Sequence, residues 1–576
     1  MPSFLTPWWQ RNSGVLERER QSFDNAGMEV KFDETARPGQ MVAHVIYQAI
    51  EREIHLDVIY PPLYPQFRPD ISAGGEKFDI HQNPVDKRLC MTGNRSSEWY
   101  QFETAAELIE KRMPELLSDN DNEVGYRDGQ AAPISNFFHY SPNSAIIVDG
   151  AWTLPGGVFD ATVKAHIVFR NDSFDYVRGT VSDIRRRKNR TILRKMDDRQ
   201  GHRLQHIAIR CPLLVVQTLA LIDAPNEQLQ SLCVMHPVAA ERNWVHLENK
   251  YGNLTVCMFG ISFNEEVAPG RTGLGYQFFL IVKTGSGEKI HRIRAQRGGR
   301  DDIGTRVPQV QGLRHKTITL NGAGAIGSPA VLEFARNGVD HLLINDSDYF
   351  DIATSPRWAL GLPSVGGAKS AELMDYISAH FPRTKVTALG LHIGSADIGV
   401  DFKKYMDAMT KLFDHTNIIV DFSAEIGVQN FLHHVAMEID VPFVFASATN
   451  GAEGGLVGRF MPGSCHGCWY CLQCALQAEE NDLVQYISAP NIKDDGDAFP
   501  AGCTHPTFTG AGFDLQEVSL QAVRMTTQSL LEDNADSIVA RLSFAGKSRI
   551  PVWEEIEVMP RPECATCRGK TAISAS

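Results

Sequence analysis

The 576-residue sequence lacks the features that mark several large classes of protein. It contains no run of about 18 apolar residues, so no membrane-spanning helix is expected. Its N-terminus has no basic stretch followed by an apolar run and a small-residue cleavage site, which argues against a secretion signal and favours a cytoplasmic protein. The formal net charge of -13 disfavours non-specific binding to nucleic acid, because that binding needs a basic surface.

The cysteines are few and unevenly placed. Of the 11 in the chain, six lie near the C-terminus, at positions 465, 468, 471, 474, 564 and 567, and the others are scattered. In a reducing compartment this spacing indicates metal ligands and reactive thiols rather than disulfides. A chain of this length also exceeds the roughly 250 to 300 residues that one hydrophobic core usually serves, so two or three domains are expected.

Changes of periodicity along the chain divide it into three predicted domains. Residues 1–120 combine helical stretches with short alternating strands, which predicts a small α+β unit. Residues 131–300 contain short strands rich in Val, Ile and Phe, so this middle domain should be mostly β. Residues 301–576 alternate strands with helices, which predicts an α/β domain with a doubly wound parallel sheet.

A glycine-rich loop carries the first chemical signal. The strand-like TITL is followed by a G-x-G-x-x-G pattern at Gly322, Gly324 and Gly327 that opens a helix. Such glycines let the backbone approach phosphate groups at the helix N-terminus. Asp346 follows 24 residues after Gly322, where its carboxylate could accept hydrogen bonds from a ribose. Taken alone, this fingerprint would suit an NAD-dependent dehydrogenase.

The residues that follow favour ATP. Asp348, Arg357 and Lys369 come next in order, and Lys369 begins a helix after two glycines. With these residues the sequence resembles the ThiF/MoeB and ubiquitin-activating family, whose pattern is G-x-G-x-x-G, D-x-D, Asn-x-x-Arg and Gly-x-x-Lys. Thr354 stands where that family usually has Asn. The resemblance implies adenylation of a carboxylate by ATP, with Arg357 and Lys369 as catalytic cations that neutralise the phosphates.

Two further residues are carried over from this resemblance. In the family an arginine preceding the first strand reaches into the site of the partner protomer of a homodimer, and Arg306 is the candidate here. Asp421 matches the first Asp of the family's Asp-x-Thr-Asp, but Ala424 replaces the second one, which helps to hold Mg²⁺. The Mg²⁺ ligand therefore stays open.

Two C-x-x-C pairs about 90 residues apart predict a structural Zn²⁺ site. The four candidate ligands are Cys468, Cys471, Cys564 and Cys567. Two tight turns that each offer two thiolates complete a tetrahedral four-sulfur site, and the resembled family has such a zinc. Cys465 and Cys474 leave the pairing ambiguous, and buried inert thiols are the alternative interpretation.

Two other cysteines are candidate acyl carriers. Cys503, in a Gly-Cys-Thr sequence between the zinc pairs, lies where activating enzymes that go beyond adenylation place their acceptor thiol. Cys90 follows a Tyr-Pro-rich loop and a His-Gln-Asn sequence that resemble those of ubiquitin-conjugating enzymes, which have His-Pro-Asn. Asn83, seven residues before Cys90, would stabilise the oxyanion formed when an amine attacks a thioester there. A packed thiol is the alternative at each position.

A conjugating domain followed by an activating domain resembles the bacterial fusion enzymes of CBASS antiphage operons. That resemblance implies activation of the C-terminus of a cGAS/DncV-like nucleotidyltransferase, or of another ubiquitin-like protein. The acyl group would pass through Cys503 and Cys90 to a target lysine. Two rival hypotheses remain: a ThiF/MoeB-like enzyme that serves sulfur transfer to a small carrier, with the N-terminal domain for docking, and a scaffold without catalysis. The sequence names neither the partner nor the target amine.

Overall fold

A computed structural model describes most of the chain in two compact units, the first ending at Arg297 and the second beginning at Gly298. No helix among the described residues is long and apolar enough to cross a membrane. The described residues are 6–37, 39–50, 52–78, 81–91, 99–121, 133–170, 173–196, 207–268, 271–299, 302, 304–395, 400–477, 510–545, 547–562, 564, 566 and 567.

The first unit begins with a small α+β fold. A four-stranded antiparallel meander in the order β1-β2-β3-β4 is flanked by helices. Along β3 the buried side chains alternate with exposed ones, which places one face of the sheet on the core. Its elements are α1 (Trp8–Arg11), α2 (Ser13–Asn25), β1 (Glu29–Arg37), β2 (Gln40–Gln48), β3 (Glu53–Tyr60), β4 (Asp70–Ser72) and α3 (Ala105–Asp121).

A closed β-barrel forms the rest of the first unit. Seven strands pair in the ring β11-β12-β13-β5-β7-β6-β9, and β9 pairs in parallel with β11 to close it. The strands reach 17 residues, much longer than the short strands expected from the sequence. The elements are β5 (Ala145–Val148), β6 (Gly157–Arg170), β7 (Ser173–Arg186), β8 (Ile192–Lys195), β9 (Ile207–Val215), α4 (Pro225–Met235), β10 (Val245–Asn249), β11 (Gly252–Ala268), β12 (Arg271–Thr284) and β13 (Gly287–Arg297).

Both faces of strand β11 are buried, which explains its nearly continuous apolar sequence. Val256 and Met258 point into one hydrophobic cluster with the other barrel strands. Phe259 and Ile261 point the opposite way, into a second cluster on which α4 packs. Val85, from the α+β fold, also packs against this second cluster, so the two parts of the unit share a hydrophobic contact.

The second unit contains an eight-stranded mixed sheet in the order β16-β15-β14-β17-β18-β19-β20-β21. The five strands from β16 to β18 are parallel, as the alternating pattern predicts, whereas β19, β20 and β21 add antiparallel pairs that the sequence did not indicate. The strands are β14 (Thr317–Asn321), β15 (His341–Asn345), β16 (Lys385–Leu389), β17 (Ile418–Asp421), β18 (Phe443–Ala448), β19 (Gly454–Phe460), β20 (Ile538–Ala545) and β21 (Ile550–Ile556).

Helices join these strands and cover the sheet. They are α5 (Gly327–Arg336), α6 (Lys369–His380), α7 (Phe402–Leu412), α8 (Ile426–Glu438), α9 (Trp469–Gln477) and α10 (Gly512–Leu531). Leu515, Val518 and Ala522 of α10 belong to the same core cluster as Leu320 of β14 and Val331 of α5. Strand β14 lies between β15 and β17. The chain continues from β14 to β15 and β16 on one side of it, and then crosses over to β17 and β18 on the other side. The carboxyl end of β14 is therefore the switch point at which open α/β sheets bind ligands.

Candidate functional site

The glycine loop lies at this switch point. Gly322 has a φ of +85°, and a Cβ there would lie 2.6 Å from the backbone nitrogen of Ser423 in the loop after β17. A Cβ on Gly327 would lie 1.9 Å from the carbonyl oxygen of Gly322. Both positions exclude a side chain, because the loop folds tightly on itself and against the neighbouring strand end.

Gly324, by contrast, faces open space. A Cβ there would meet no described atom within 4 Å. Helix α5 begins three residues later with no side-chain hydrogen bond at its N-cap, Ile326, so the amide groups of its first turn are not capped by that side chain. Among the described residues, an open approach beside a helix N-terminus fits the phosphate groups of a nucleotide.

Asp346 holds the glycine loop in place. Its Oδ2 accepts a hydrogen bond of 2.6 Å from the backbone N–H of Ala323, and its Oδ1 accepts one of 2.8 Å from the N–H of Asp348. Burial raises the pKa of the Asp346 carboxyl, and nearby Lys369 partly offsets that effect. The predicted contact with a ribose stays a prediction, but the carboxylate lies at the mouth of the loop where that contact would form.

The two predicted catalytic cations lie in the same part of the second unit. Lys369 is the first residue of α6, and its Nζ lies 2.9 Å from Oδ2 of Asp348. Its backbone N–H also donates to the carbonyl oxygen of Asp348, at 3.0 Å. Arg357 is partly buried, and desolvation lowers the pKa of its guanidinium. A cation already removed from water interacts more strongly with a phosphate than a fully hydrated one does.

An aromatic pair that sequence reasoning missed connects the Arg357 segment to the glycine loop. Trp358 stacks on Phe350, with ring centroids 4.3 Å apart, and its Nε1–H donates to the carbonyl oxygen of Ala323 at 2.7 Å. A tryptophan directly after the family's arginine position was the available signal. The contact fixes the backbone beside Arg357 relative to the loop.

A buried row of polar side chains, also missed, crosses the strand ends beneath the loop. Asn345 donates to Oδ1 of Asn321, and Asn321 donates to Oδ1 of Asp421, each at 2.7 Å. Ser423 donates to Oδ2 of Asp421 through its hydroxyl at 2.9 Å. Desolvation raises the pKa of Asp421 to about 6, although these donors oppose the shift. Asn at the last position of two adjacent strands, immediately before Gly322 and Asp346, was the sequence signal.

Ala424, where the resembled family has Asp, adopts a left-handed backbone with a φ of 59°. Asp and Asn tolerate this conformation better than Ala. Asp421 itself is fully buried and accepts hydrogen bonds from protein groups at both oxygens. Its assignment as a nucleotide-site residue and the identity of the Mg²⁺ ligand therefore remain predictions.

The four predicted zinc ligands converge. Their Sγ atoms all lie within 4.8 Å of one another, and neighbouring pairs are 3.5 to 3.8 Å apart. A tetrahedral ion with Zn–S bonds of ~2.3 Å needs S···S separations of ~3.8 Å. The set is Cys468, Cys471, Cys564 and Cys567. The donors fit Zn²⁺, and neither Cys465 nor Cys474 belongs to this cluster.

Cys90 is exposed at the end of a short hairpin in the first unit. Gln82 and Leu89 form an antiparallel bridge, and the N–H of Cys90 donates to the carbonyl oxygen of His81 at 2.7 Å. Asn83 lies in the same hairpin. Its Oδ1 accepts from the N–H of Val85 at 2.9 Å, so the side-chain oxygen stabilises the turn and the amide NH₂ is its remaining polar group.

Two predicted residues have less structural support. Cys503 lies outside the described residues. At Gly512, which is described, a Cβ would lie 2.8 Å from the carbonyl oxygen of Pro356, so the start of α10 packs beside Arg357. Arg306 is exposed in a 3₁₀ turn that precedes β14. Neither residue's predicted role is tested by these observations.

The parallel sheet, the glycine loop at its switch point and the adjacent acidic and basic side chains define a nucleotide-binding α/β domain. Residues 301–565 match the ThiF family. The whole chain is 30% identical to the uncharacterised protein y4oA of Sinorhizobium fredii, over 97% of both chains. Residues 301–565 therefore form a domain of the ThiF family, a family of ATP-dependent adenylating enzymes. Adenylation of this kind uses ATP and Mg²⁺.

Other relatives align with smaller or larger parts of this chain. The uncharacterised protein y4qC of the same Sinorhizobium strain is 27% identical over 90% of both chains. The adenylyltransferase and sulfurtransferase UBA4 of Yarrowia lipolytica is 23% identical over 46% of this chain and 58% of its own. The ATP-dependent ubiquitin transferase-like protein Cap2 of Enterobacter hormaechei is 25% identical over 29% of this chain and 27% of its own. Among solved structures, the microcin C7 biosynthetic enzyme MccB aligns over 46% of this chain and 72% of its own, at 14% identity and a TM-score of 0.34.

Proposed function

We propose that this enzyme adenylates the C-terminus of a partner protein and transfers the acyl group through thioesters on Cys503 and Cys90 to an amine. The observation that carries the proposal is the exposed thiol of Cys90, at the end of a hairpin in a separate α+β fold of a ThiF-family chain. Adenylation alone needs no such thiol. An accessible cysteine outside the nucleotide-binding unit supports a second chemical step.

In the first step, a carboxylate oxygen of the partner's C-terminus attacks the α-phosphorus of ATP, and pyrophosphate leaves. Lys369 and Arg357 would neutralise the negative charge that develops on the phosphate oxygens. The open side of the glycine loop at Gly324 and the first turn of α5 would receive the phosphates. A bound Mg²⁺ would add charge neutralisation.

In the second step, the Cys503 thiolate attacks the acyl adenylate, forms a thioester and releases AMP. The Cys90 thiolate then attacks this thioester, and Cys503 leaves as a thiolate. Finally the amine of a target lysine attacks the Cys90 thioester, forms an amide and releases the Cys90 thiol. The NH₂ group of Asn83, whose oxygen is held by the hairpin turn, would stabilise the oxyanion of this last step.

The fold of residues 1–120 supports a conjugating-like role. An antiparallel meander flanked by helices precedes the hairpin that holds Cys90. Val85 of that hairpin packs on the second hydrophobic cluster, which contains Phe259 and Ile261 of β11. The barrel would therefore serve to hold the hairpin. The partial similarity to Cap2, an ATP-dependent ubiquitin transferase-like protein, supports the transfer of a ubiquitin-like partner. The proposal includes a role in antiphage defence, with a cGAS/DncV-like nucleotidyltransferase or another ubiquitin-like protein as the activated partner. A homodimer formed through the adenylation domain is part of the same proposal, and mass measurement in solution tests it.

Sulfur transfer is the second candidate function. Similarity to UBA4 covers a larger part of this chain than similarity to Cap2 does. In that case the acyl adenylate would be consumed by a sulfur donor, and the N-terminal fold would serve docking alone. Cys90 would then be dispensable for turnover, which separates the two candidates.

The decisive experiment incubates the purified full-length chain with ATP, Mg²⁺ and the C-terminal segment of a cGAS/DncV-like partner. Thiol-sensitive adducts and amide products are followed by gel and mass spectrometry. Under the proposal, Cys90→Ala keeps the adduct on Cys503 and loses the amide product, whereas Cys503→Ala loses both. Cys233→Ala, which alters another partly exposed thiol of the first unit, is the matched control and should behave as wild type. An unchanged amide yield from Cys90→Ala would refute the relay.

Exchange of labelled pyrophosphate into ATP tests the adenylation step separately. Lys369→Met should abolish exchange, because it removes a cation at the phosphate site. Lys404→Met is the control, since Lys404 also pairs with an aspartate, Asp401, but is largely exposed on α7. Exchange that persists in Lys369→Met would remove this lysine from the mechanism.

A further inference from the structure

A second group of metal-ligating side chains lies near the four-cysteine cluster but is separate from it. Cys465 Sγ, a ring nitrogen of His466 and a carboxylate oxygen of Asp536 lie within 4.8 Å of one another. Cys465 and His466 belong to the loop before α9, and Asp536 to the turn before β20. The three side chains thus bring together two segments of the second unit that are 70 residues apart in sequence.

The imidazole of His466 is oriented by two carboxylates. Its Nε2 lies 3.0 Å from Oδ2 of Asp536, on the side of the cluster, and its Nδ1 lies 3.2 Å from Oε1 of Glu557. Metal-bound histidines commonly donate their other ring N–H to a carboxylate, which fixes the tautomer and the ring plane. Glu557 supplies that outer carboxylate, so Nε2 is left to face the cluster.

The remaining donor is also held in position. Oδ1 of Asp536 accepts a hydrogen bond of 2.6 Å from Ser464 Oγ and one of 2.7 Å from the N–H of Ser537, which directs Oδ2 toward His466. The loop itself is fixed at Gly467, whose N–H donates to the carbonyl oxygen of Val558 at 2.7 Å. A Cβ on Gly467 would lie 2.7 Å from the backbone of the adjoining segment, so the close approach depends on glycine.

An ordinary surface ion pair between His466 and its two carboxylates would not need a thiol. The position of Cys465 adds a sulfur donor to nitrogen and oxygen donors, which is a set that suits Zn²⁺. We propose that Cys465, His466 and Asp536 bind a second Zn²⁺, independent of the four-sulfur site. Three protein ligands leave a fourth position for water, and Cys465 is exposed, so this ion exchanges with solvent zinc.

The site would join the loop before α9 to the turn before β20. Three ligands with an open position bind less tightly than four thiolates, so the second ion is lost first on dilution or mild chelation. The four-sulfur site, whose thiols are buried, would keep its ion under the same conditions. The chain would then carry one retained and one exchangeable zinc.

Zinc stoichiometry of the full-length chain tests the proposal. Protein is held at equilibrium with a saturating concentration of free Zn²⁺ by dialysis, and the bound metal is obtained from elemental analysis of the two compartments. We expect two zinc ions in wild type and one in Cys465→Ser and in Asp536→Asn. Cys474→Ser is the matched control, because Cys474 is a neighbouring thiol outside both clusters, and it should keep two.

The single zinc left in the variants also reports that they fold, because the four-sulfur site needs the folded second unit. Substitution with Co²⁺ gives an independent readout, since the proposed site should add ligand-to-metal absorption that Cys465→Ser removes. One zinc per wild-type chain at saturation, or two retained in Cys465→Ser, would overturn the proposal. Neither result would bear on the adenylation chemistry.

Discussion

The buried carboxyl of Asp421 allows a quantitative test of the polar row beneath the glycine loop. Desolvation raises its pKa from an ordinary 3.8 to about 6. Because the pKa in the folded protein is the higher one, the carboxyl's contribution to stability is fully present below about pH 3.8. It is lost as the pH rises through about 6. Asp421→Asn cannot ionise, so this pH dependence should be absent from the variant.

The magnitude follows from the two pKa values. At ~1.36 kcal/mol per pKa unit, a rise from 3.8 to about 6 corresponds to about 3 kcal/mol over the whole titration. Between pH 5 and pH 8 the part that is lost corresponds to about one pKa unit, or on the order of tenfold in a local opening equilibrium. Comparing wild type with Asp421→Asn at each pH cancels the other titrating groups that the two proteins share.

Hydrogen exchange of the full-length protein, measured by mass spectrometry on peptides that cover Ile418–Asp421, provides the assay. We expect the protection of wild type relative to Asp421→Asn to fall roughly tenfold from pH 5 to pH 8, after correction for intrinsic exchange rates. Asp407→Asn, at an exposed position on α7, should show no such change. An equal ratio at both pH values, or one that rises with pH, would refute the account of Asp421.

Three further predictions concern other parts of the chain. Gly327→Ala should abolish pyrophosphate exchange and lower the melting temperature, because its Cβ would lie 1.9 Å from the Gly322 carbonyl oxygen; in Gly324→Ala the melting temperature should stay near that of wild type. The buried carboxylate of Glu19 accepts hydrogen bonds from the Tyr60 hydroxyl and the Ala105 N–H, so Glu19→Ala should destabilise the α+β fold by about 3 kcal/mol in urea denaturation. Glu17→Ala, at the surface, should change stability by less than ~0.5 kcal/mol. Stripping zinc with a strong chelator should increase proteolysis around α9 and leave the sheet β1 to β4 unaffected, and equal cleavage with and without chelator would contradict a structural zinc.

The features that could be read from the sequence are those that local spacing encodes. The glycine loop, Asp346 and Lys369 were found because a tight turn into a helix needs particular residues at particular intervals. The five parallel strands of the second unit were found from the alternation of apolar strands and helices. The C-x-x-C pairs indicated which sulfurs could meet, although they did not decide between Cys465 and Cys468 as the first ligand.

The features that escaped prediction depend on residues far apart in the chain. Closure of the barrel requires β9 to pair with β11, and no local pattern records that pairing. The antiparallel strand β19 is buried and apolar like the parallel strands beside it, so its direction came only from the fold. Asn345, Asn321 and Asp421 form one polar row because three strands end at the same sheet edge.

By itself, then, the sequence determined the glycine loop, the acidic and basic residues beside it, the sulfur pairs and the alternation of strands and helices in the second unit. Each of these follows from turn geometry or from the periodicity of one element. The tertiary structure alone decided which four cysteines converge, how Asp421 becomes buried and how Trp358 supports the loop. These contacts join segments that lie 35 to 100 residues apart in the chain, and no local sequence pattern indicates that such segments will meet.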